Sequence, residues 1–299
     1  MILYRPPDMM TDAADASDHE GAARAIAAGL ARSHTKEKPG YWLHTGGTGI
    51  LCYKDSANDF ATLGQWTDEQ YDDLAGVEKV VNLPDEAFHR NVDKIVLEAG
   101  TKNKDVVKTV IVCPPTIYGQ SCHVTLCEWV NADYVGTGRG PVSGRGRQVY
   151  EMGKLILSKS LIPVIGQGKA RWNNVHIEDL SDLYLLLLEG AMAQDSNNDI
   201  WGSHGYMFAE NGEHVWSDLA NMMSQEAEQQ GLIKNAKVGA LSKDAALDQA
   251  GFEAVSWGLN SRAKAKRARE FLGWKPHRAS LEQTVPEIVR QESRLLTKS

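Results

Sequence analysis

Apolar residues recur at Ala23, Ile26, Ala27 and Leu30. This is the i, i+3, i+4, i+7 spacing of one helix face, and it predicts a helix from about His19 to Ser33 with Asp18 as its N-cap. The same period returns at Val92, Ile95, Val96 and Ala99 and predicts a second helix over 88–99. Two continuous apolar runs are of the other kind. Tyr41–Thr45 reads as a short strand that breaks off in Gly46-Gly47-Thr48-Gly49, and Val106–Cys113 as a longer one stopped by Pro114-Pro115. Strand, helix, strand with apolar strands predicts parallel pairing with both sheet faces covered. The segment Glu178–Met192 is apolar almost all round, which predicts a sandwiched helix. Gly205–Ala209 reads as a further strand, followed by helices near 215–230, 261–272 and 281–296. The pattern is an α/β sheet followed by a smaller, mostly helical lobe.

Composition narrows this little. The chain has 299 residues with 42% hydrophobic and 24% charged side chains, enough for a large core without staples. Lys plus Arg is 32 against 39 Asp plus Glu, a net charge of −7, so no nucleic-acid partner is expected. Cys122 and Cys127 flank His123 but lack the second pair that a tetrahedral zinc site takes, and no metal site is expected. No apolar run of about 18 residues occurs, so no membrane partner is expected either. Sparse cysteines and a start without a basic-then-apolar signal pattern predict a reduced, cytoplasmic protein.

Chemistry concentrates where the two strands stop. In open α/β sheets ligands bind beyond the carboxyl ends of the strands. His44-Thr45-Gly46-Gly47-Thr48-Gly49 offers open backbone and two hydroxyls, and Pro114-Pro115-Thr116-Ile117-Tyr118-Gly119 is a rigid exit aimed at the same rim. Together with Val175-His-Ile-Glu-Asp-Leu-Ser-Asp182 and Leu272-Gly-Trp-Lys-Pro276, these segments resemble, in order, four motifs of the extended short-chain dehydrogenase/reductase superfamily, in its NAD-dependent epimerase/dehydratase branch. The resemblance implies an incomplete Rossmann-like parallel sheet, with residues 1–130 a partial dinucleotide-binding domain to which 175–210 return. It leaves 131–174 and 211–299 as the substrate-side lobe. It also implies NAD or NADP as cofactor, Thr45, Thr48 and Lys94 as catalytic residues, and Lys94, Pro114, Pro115, Thr116 and Tyr118 as cofactor contacts.

Two departures qualify it. The family opens with a glycine-rich turn that holds the pyrophosphate at a helix N-terminus, whereas Met9–Asp15 here already resembles the end of the fourth strand. Roughly 70–80 residues carrying that motif would belong before Met1, and weak or absent NAD(P) binding is the expectation. The glycines of the 136–147 loop follow no strand and are expected to line the substrate side. The second departure is the family's Tyr-x-x-x-Lys pair. Lys94 matches its lysine, but its tyrosine position holds Arg90. Tyr150 and Lys154 have the spacing in the wrong place and are expected to lie on the substrate side, away from Lys94. His89, beside the tyrosine position, is able to move protons near neutral pH, although a lone helix histidine is more often structural. The basic run Arg262, Lys264, Lys266, Arg267, Arg269 is expected on a solvated helix face. The function implied is an NAD(P)-dependent oxidoreductase or epimerase acting on a small carbonyl or hydroxyl metabolite, with a homo-oligomer left open. The alternatives are a non-catalytic dinucleotide-sensing or interaction protein of the same fold, and a truncated gene product.

Overall fold

The computed structural model describes residues 9–13, 16–58, 60–120, 145–195 and 197–297. Its strands are β1 (Met9–Asp12), β2 (Gly40–Thr45), β3 (Tyr71–Asp72), β4 (Val107–Cys113), β5 (Thr116–Tyr118), β6 (Leu161–Ile165), β7 (Arg171–His176), β8 (Tyr206–Phe208), β9 (Glu213–Val215), β10 (Lys237–Leu241) and β11 (Ala263–Lys264). The first five helices are α1 (Glu20–Ser33), α2 (Tyr53–Ala57), α3 (Val77–Val81), α4 (Arg90–Lys102) and α5 (Gln148–Lys159). The remaining five are α6 (Ile177–Met192), α7 (Trp216–Gln229), α8 (Lys243–Ser256), α9 (Arg267–Leu272) and α10 (Leu281–Leu296). Among these, none is long and apolar enough to cross a membrane.

The central sheet is parallel, in the order β1-β2-β4-β8. The two strands read from sequence are direct neighbours, with Gly40 opposite Val107 and Thr45 opposite Val112. Trp42, Leu43, Val110, Ile111 and Val112 are essentially inaccessible, which is why both strands are continuous apolar runs. The core around this sheet takes in Val92 and Val96 from α4 and Leu183 and Leu187 from α6. A second core gathers α5, α7, α8 and α10 around Tyr150, Met223, Trp257 and Val285.

Three expectations need correction. The N-cap of α1 is His19, whose Nδ1 accepts from Ala22 N at 3.0 Å, because Asp18 is drawn to His89 instead. Helix α6 is not sandwiched. Leu180, Leu183, Leu187 and Ala191 are buried, but Leu185 is 40% and Met192 76% exposed on the opposite side. The basic run is not a helix face. Ala263–Lys264 pairs with β3, and only 267–272 is helical. The cause is Asp73, whose buried carboxylate accepts from Lys266 N at 2.7 Å, Arg267 N at 3.0 Å and Phe208 N at 2.9 Å. These bonds start the helix at Arg267 and bury its side chain to 3% exposure.

Two residues at the junction of the cores carry testable consequences. Gly119 closes β5 at φ 86°, and a Cβ there would stand 2.2 Å from His176 Nε2. His176 caps α6 by accepting from Glu178 N at 3.2 Å, and burial lowers its pKa. Gly119→Ala therefore combines left-handed strain with a clash against a cap, and is expected to cost about 3 kcal/mol in urea unfolding. Glu292 on α10 is 1% exposed beside Arg145, whose Nε lies 3.2 Å from its carboxylate. Burial outweighs that cation and pushes the Glu292 pKa up from 4.5 to about 7, with Glu151 adding to the rise. The folded state thus holds this proton more tightly than the unfolded chain. Its contribution is full below about pH 4.5 and lost as pH rises through about 7. Glu292→Gln is expected to remove about 2–3 kcal/mol of that decline, read from unfolding curves at pH 5 and pH 8.

Candidate active site

The carboxyl ends of β2 and β4 turn outward side by side. Gly46 N donates to Val112 O at 2.9 Å and Thr48 N to Pro114 O at 3.0 Å, stitching the glycine loop to the proline exit. Ser261 Oγ donates to Thr48 O at 2.7 Å from below. After this loop the chain tightens into a 3-10 turn over Thr48–Cys52, with Ile50 and Leu51 buried as its anchor. Pro114, Pro115 and Thr116 are buried against it, and Thr116 Oγ1 donates to Gln148 Oε1 at 2.6 Å. Thr45 and Thr48 thus share one rim with Pro114. Thr45 Oγ1 bonds the Tyr184 hydroxyl of α6, while Thr48 Oγ1 is buried without a hydrogen-bond partner among the described residues.

The glycines of the rim differ in what the fold asks of them. At Gly46 a Cβ would press on Ile111 Cγ2 at 3.2 Å, a contact that Ile111 would have to relieve by a few tenths of an ångström. Gly47 has φ −167° and ψ 141°, extended backbone open to any residue, and its Cβ would meet nothing closer than His89 at 4.0 Å. Gly49 is similar, with His89 Nε2 as nearest atom at 3.7 Å. These two glycines leave bare backbone at the rim that neither strain nor packing explains.

Beneath the rim runs a buried polar chain. His44 Nδ1 meets Asp12 Oδ2 at 3.0 Å, and Trp42 Nε1 donates to Asp12 Oδ1 at 2.9 Å, pinning β1 to β2. His44 Nε2 lies 4.0 Å from Asp93 Oδ1, and neither atom has a hydrogen-bond partner among the described residues. Tyr206 donates its hydroxyl to Asp93 Oδ2 at 3.0 Å and also lies 3.3 Å from Cys113 Sγ. Burial raises the pKa of Asp93, against the lowering influence of His44, and raises those of Cys113 and Tyr206.

Other residues singled out by sequence fall elsewhere. Lys94 is not brought to this rim. Its Nζ pairs with Asp85 Oδ1 at 2.8 Å, in a hollow of about 260 Å³ shared with Glu20, Arg24, Asn91 and Glu98. The position implied for tyrosine holds Arg90, turned inward to donate to Val81 O at 2.7 Å. Tyr118 packs its ring on His176, with centroids 5.4 Å apart, and donates to Ala279 O at 2.9 Å, so it joins the two cores. Tyr150 sits in the second core with its hydroxyl on Gly119 O at 3.1 Å. Cys122, Cys127 and the glycines at 136–144 lie outside the described residues. What sequence reading missed is the partnership of Asp12, Asp93, Tyr184 and Tyr206. The available signal was an acid at Asp93 on the apolar stripe of α4, flanked by the buried Val92 and Val96.

No protein-family model matches the chain. It is 35% identical over 286 residues to the oxidase ucsJ of an Acremonium species, a match spanning 93% of this chain and 76% of ucsJ. Solved structures share the fold at low identity. The dTDP-glucose 4,6-dehydratase DesIV of Streptomyces venezuelae, with NAD and TYD bound, matches at TM-score 0.55 and 13% identity over 97% of this chain and 74% of its own. RMD of Pseudomonas aeruginosa, complexed with NADPH, matches at TM-score 0.52 and 12% identity over 98% and 84%. The UDP-glucuronic acid 4-epimerase of Bacillus cereus, in complex with UDP-glucuronic acid and NAD, matches at TM-score 0.52 and 11% identity over 93% and 67%. The chain belongs to the family of the oxidase ucsJ and is built on the fold of the extended short-chain dehydrogenases/reductases of the epimerase/dehydratase type, as its four motifs imply.

Proposed function

We propose that this chain is an NAD(P)-linked oxidoreductase that acts on a hydroxyl or carbonyl group of a small metabolite. The nicotinamide side of the cofactor takes the rim formed by Gly46–Gly49 and Pro114–Thr116. One observation carries the reading: Gly47 and Gly49 expose backbone at the carboxyl end of a parallel strand where the fold itself would accept a side chain. The donor set fits a nicotinamide. The buried Thr48 hydroxyl lacks a partner among the described residues, Thr45 ends the strand three residues earlier, and Pro114 and Pro115 supply a rigid apolar wall. When bound, the cofactor would accept or return a hydride, while these residues orient it and exclude water. Kinship with an oxidase and a fold shared with NAD- and NADPH-bound neighbours support the same chemistry.

A second reading has its own observation. With Arg90 at the tyrosine position and Lys94 captured by Asp85, the family's usual proton-transfer pair is not assembled, which favours a dinucleotide-sensing protein without turnover. Calorimetric titration of NADH and NADPH into the full chain tests what both readings share. Saturable binding is expected, and heat indistinguishable from dilution up to millimolar dinucleotide would contradict both. Dinucleotide oxidation with a panel of small aldehydes and ketones then separates them.

A further inference from the structure

Immediately before α4, His89 adopts φ 65°, a left-handed backbone that residues with side chains rarely enter and that tends to mark functional positions. Its Nδ1 lies 2.7 Å from Asp18 Oδ1. Its Nε2 faces the bare backbone of the glycine loop, 3.7 Å from where a Cβ of Gly49 would stand, and no described residue hydrogen-bonds it. The ring is 24% exposed, between solvent and the loop. Phe88 and Phe252 meet edge to face at 5.6 Å beside it, bringing α8 of the second core to the same opening. The Asp18 contact is not needed as a tie between helix starts, because Asn91 Nδ2 already donates to Glu20 Oε1 at 2.9 Å across the same junction. The other charged groups around His89 are accounted for. Asp93 faces His44 and Tyr206, and Arg90 is turned to Val81 O.

We propose that His89 is the proton-transfer residue of this site, with Asp18 as its positioning residue. Asp18 keeps a proton on Nδ1 and so presents Nε2 to the cleft as an acceptor. The inference rests on the dinucleotide reading above. In the oxidising direction the alcohol O–H breaks and its proton passes to Nε2. The carbinol C–H bond breaks with both electrons, and the hydride goes to the oxidised nicotinamide. The oxygen lone pair closes the carbonyl, and the imidazolium returns its extra proton to water. Reduction runs the same steps backwards.

The test uses the full chain and two readouts. Nitrogen-15 NMR of the histidine rings at pH 8, with His89 assigned by loss of its signals in His89→Gln, is expected to show protonated Nδ1 and bare Nε2. Asp18→Asn, whose amide is able to donate to Nδ1, is expected to move the proton to Nε2. Separately, carbethoxylation of His89 by diethyl pyrocarbonate, followed by peptide mass spectrometry, is expected to slow at least tenfold under saturating NADH. His204, 42% exposed and paired with Glu78, should react at an unchanged rate. A wild-type ring protonated on Nε2, or NADH binding without protection of His89, would overturn the proposal and leave the dinucleotide reading standing. No binding of NADH or NADPH at all would remove both.

Discussion

Asp93→Ala is expected to lower the unfolding free energy by about 3–5 kcal/mol, the largest stability loss in the central sheet, because it strips one member from a buried charged network. Asp93 is 1% exposed, and its two oxygens face different partners. Oδ2 accepts from Tyr206, and Oδ1 lies 4.0 Å from His44 Nε2. Burial pushes the Asp93 pKa up, which favours a proton on this carboxyl. Alanine leaves the Tyr206 hydroxyl without its acceptor, and a cavity beside His44, in a site closed to water. Asparagine keeps an acceptor for Tyr206 in a side chain of the same size, so Asp93→Asn is expected to cost less than about 1 kcal/mol. Urea unfolding of both variants checks the pair. Equal losses would show that size or helix propensity, rather than the polar chain, sets the cost.

The strands of the central sheet were legible because burial on both faces leaves no polar alternation to confuse them, and Pro114 and Gly46 mark where they stop. Helices α1 and α4 were legible from apolar spacing alone. A helical reading misled at 261–272, where alanines interleave with basic residues. There Asp73, nearly two hundred residues away, draws the amides of Lys266 and Arg267 and delays the helix. Long-range pairs explain the other gaps. Asp12 with His44 and Asp93 with Tyr206 are joined across 32 and 113 residues, so no local pattern announces them. The rim was legible as two strand exits. Lys94 was placed there by spacing within a motif, but its nearest acid, Asp85, decides where a flexible ammonium rests.

Gly47→Val is expected to weaken NADH binding about 10- to 100-fold while leaving the fold intact. The backbone of Gly47 is already extended, which a β-branched residue prefers, and the nearest atom to its Cβ is 4.0 Å away, so the substitution meets no strain and no clash within the protein. The Cβ of a larger residue there meets a ligand laid on the bare backbone instead. Overfilling a close-packed contact costs about 1–3 kcal/mol, which is the stated loss in affinity. The most direct test of the nicotinamide rim is a calorimetric titration of NADH into wild-type and Gly47→Val protein, with melting temperatures recorded for both. Saturable binding by the wild type that falls at least tenfold in the variant, at melting temperatures within about 2 °C, is the predicted result. Equal affinities in the two proteins would place the dinucleotide elsewhere and contradict the assignment of this rim.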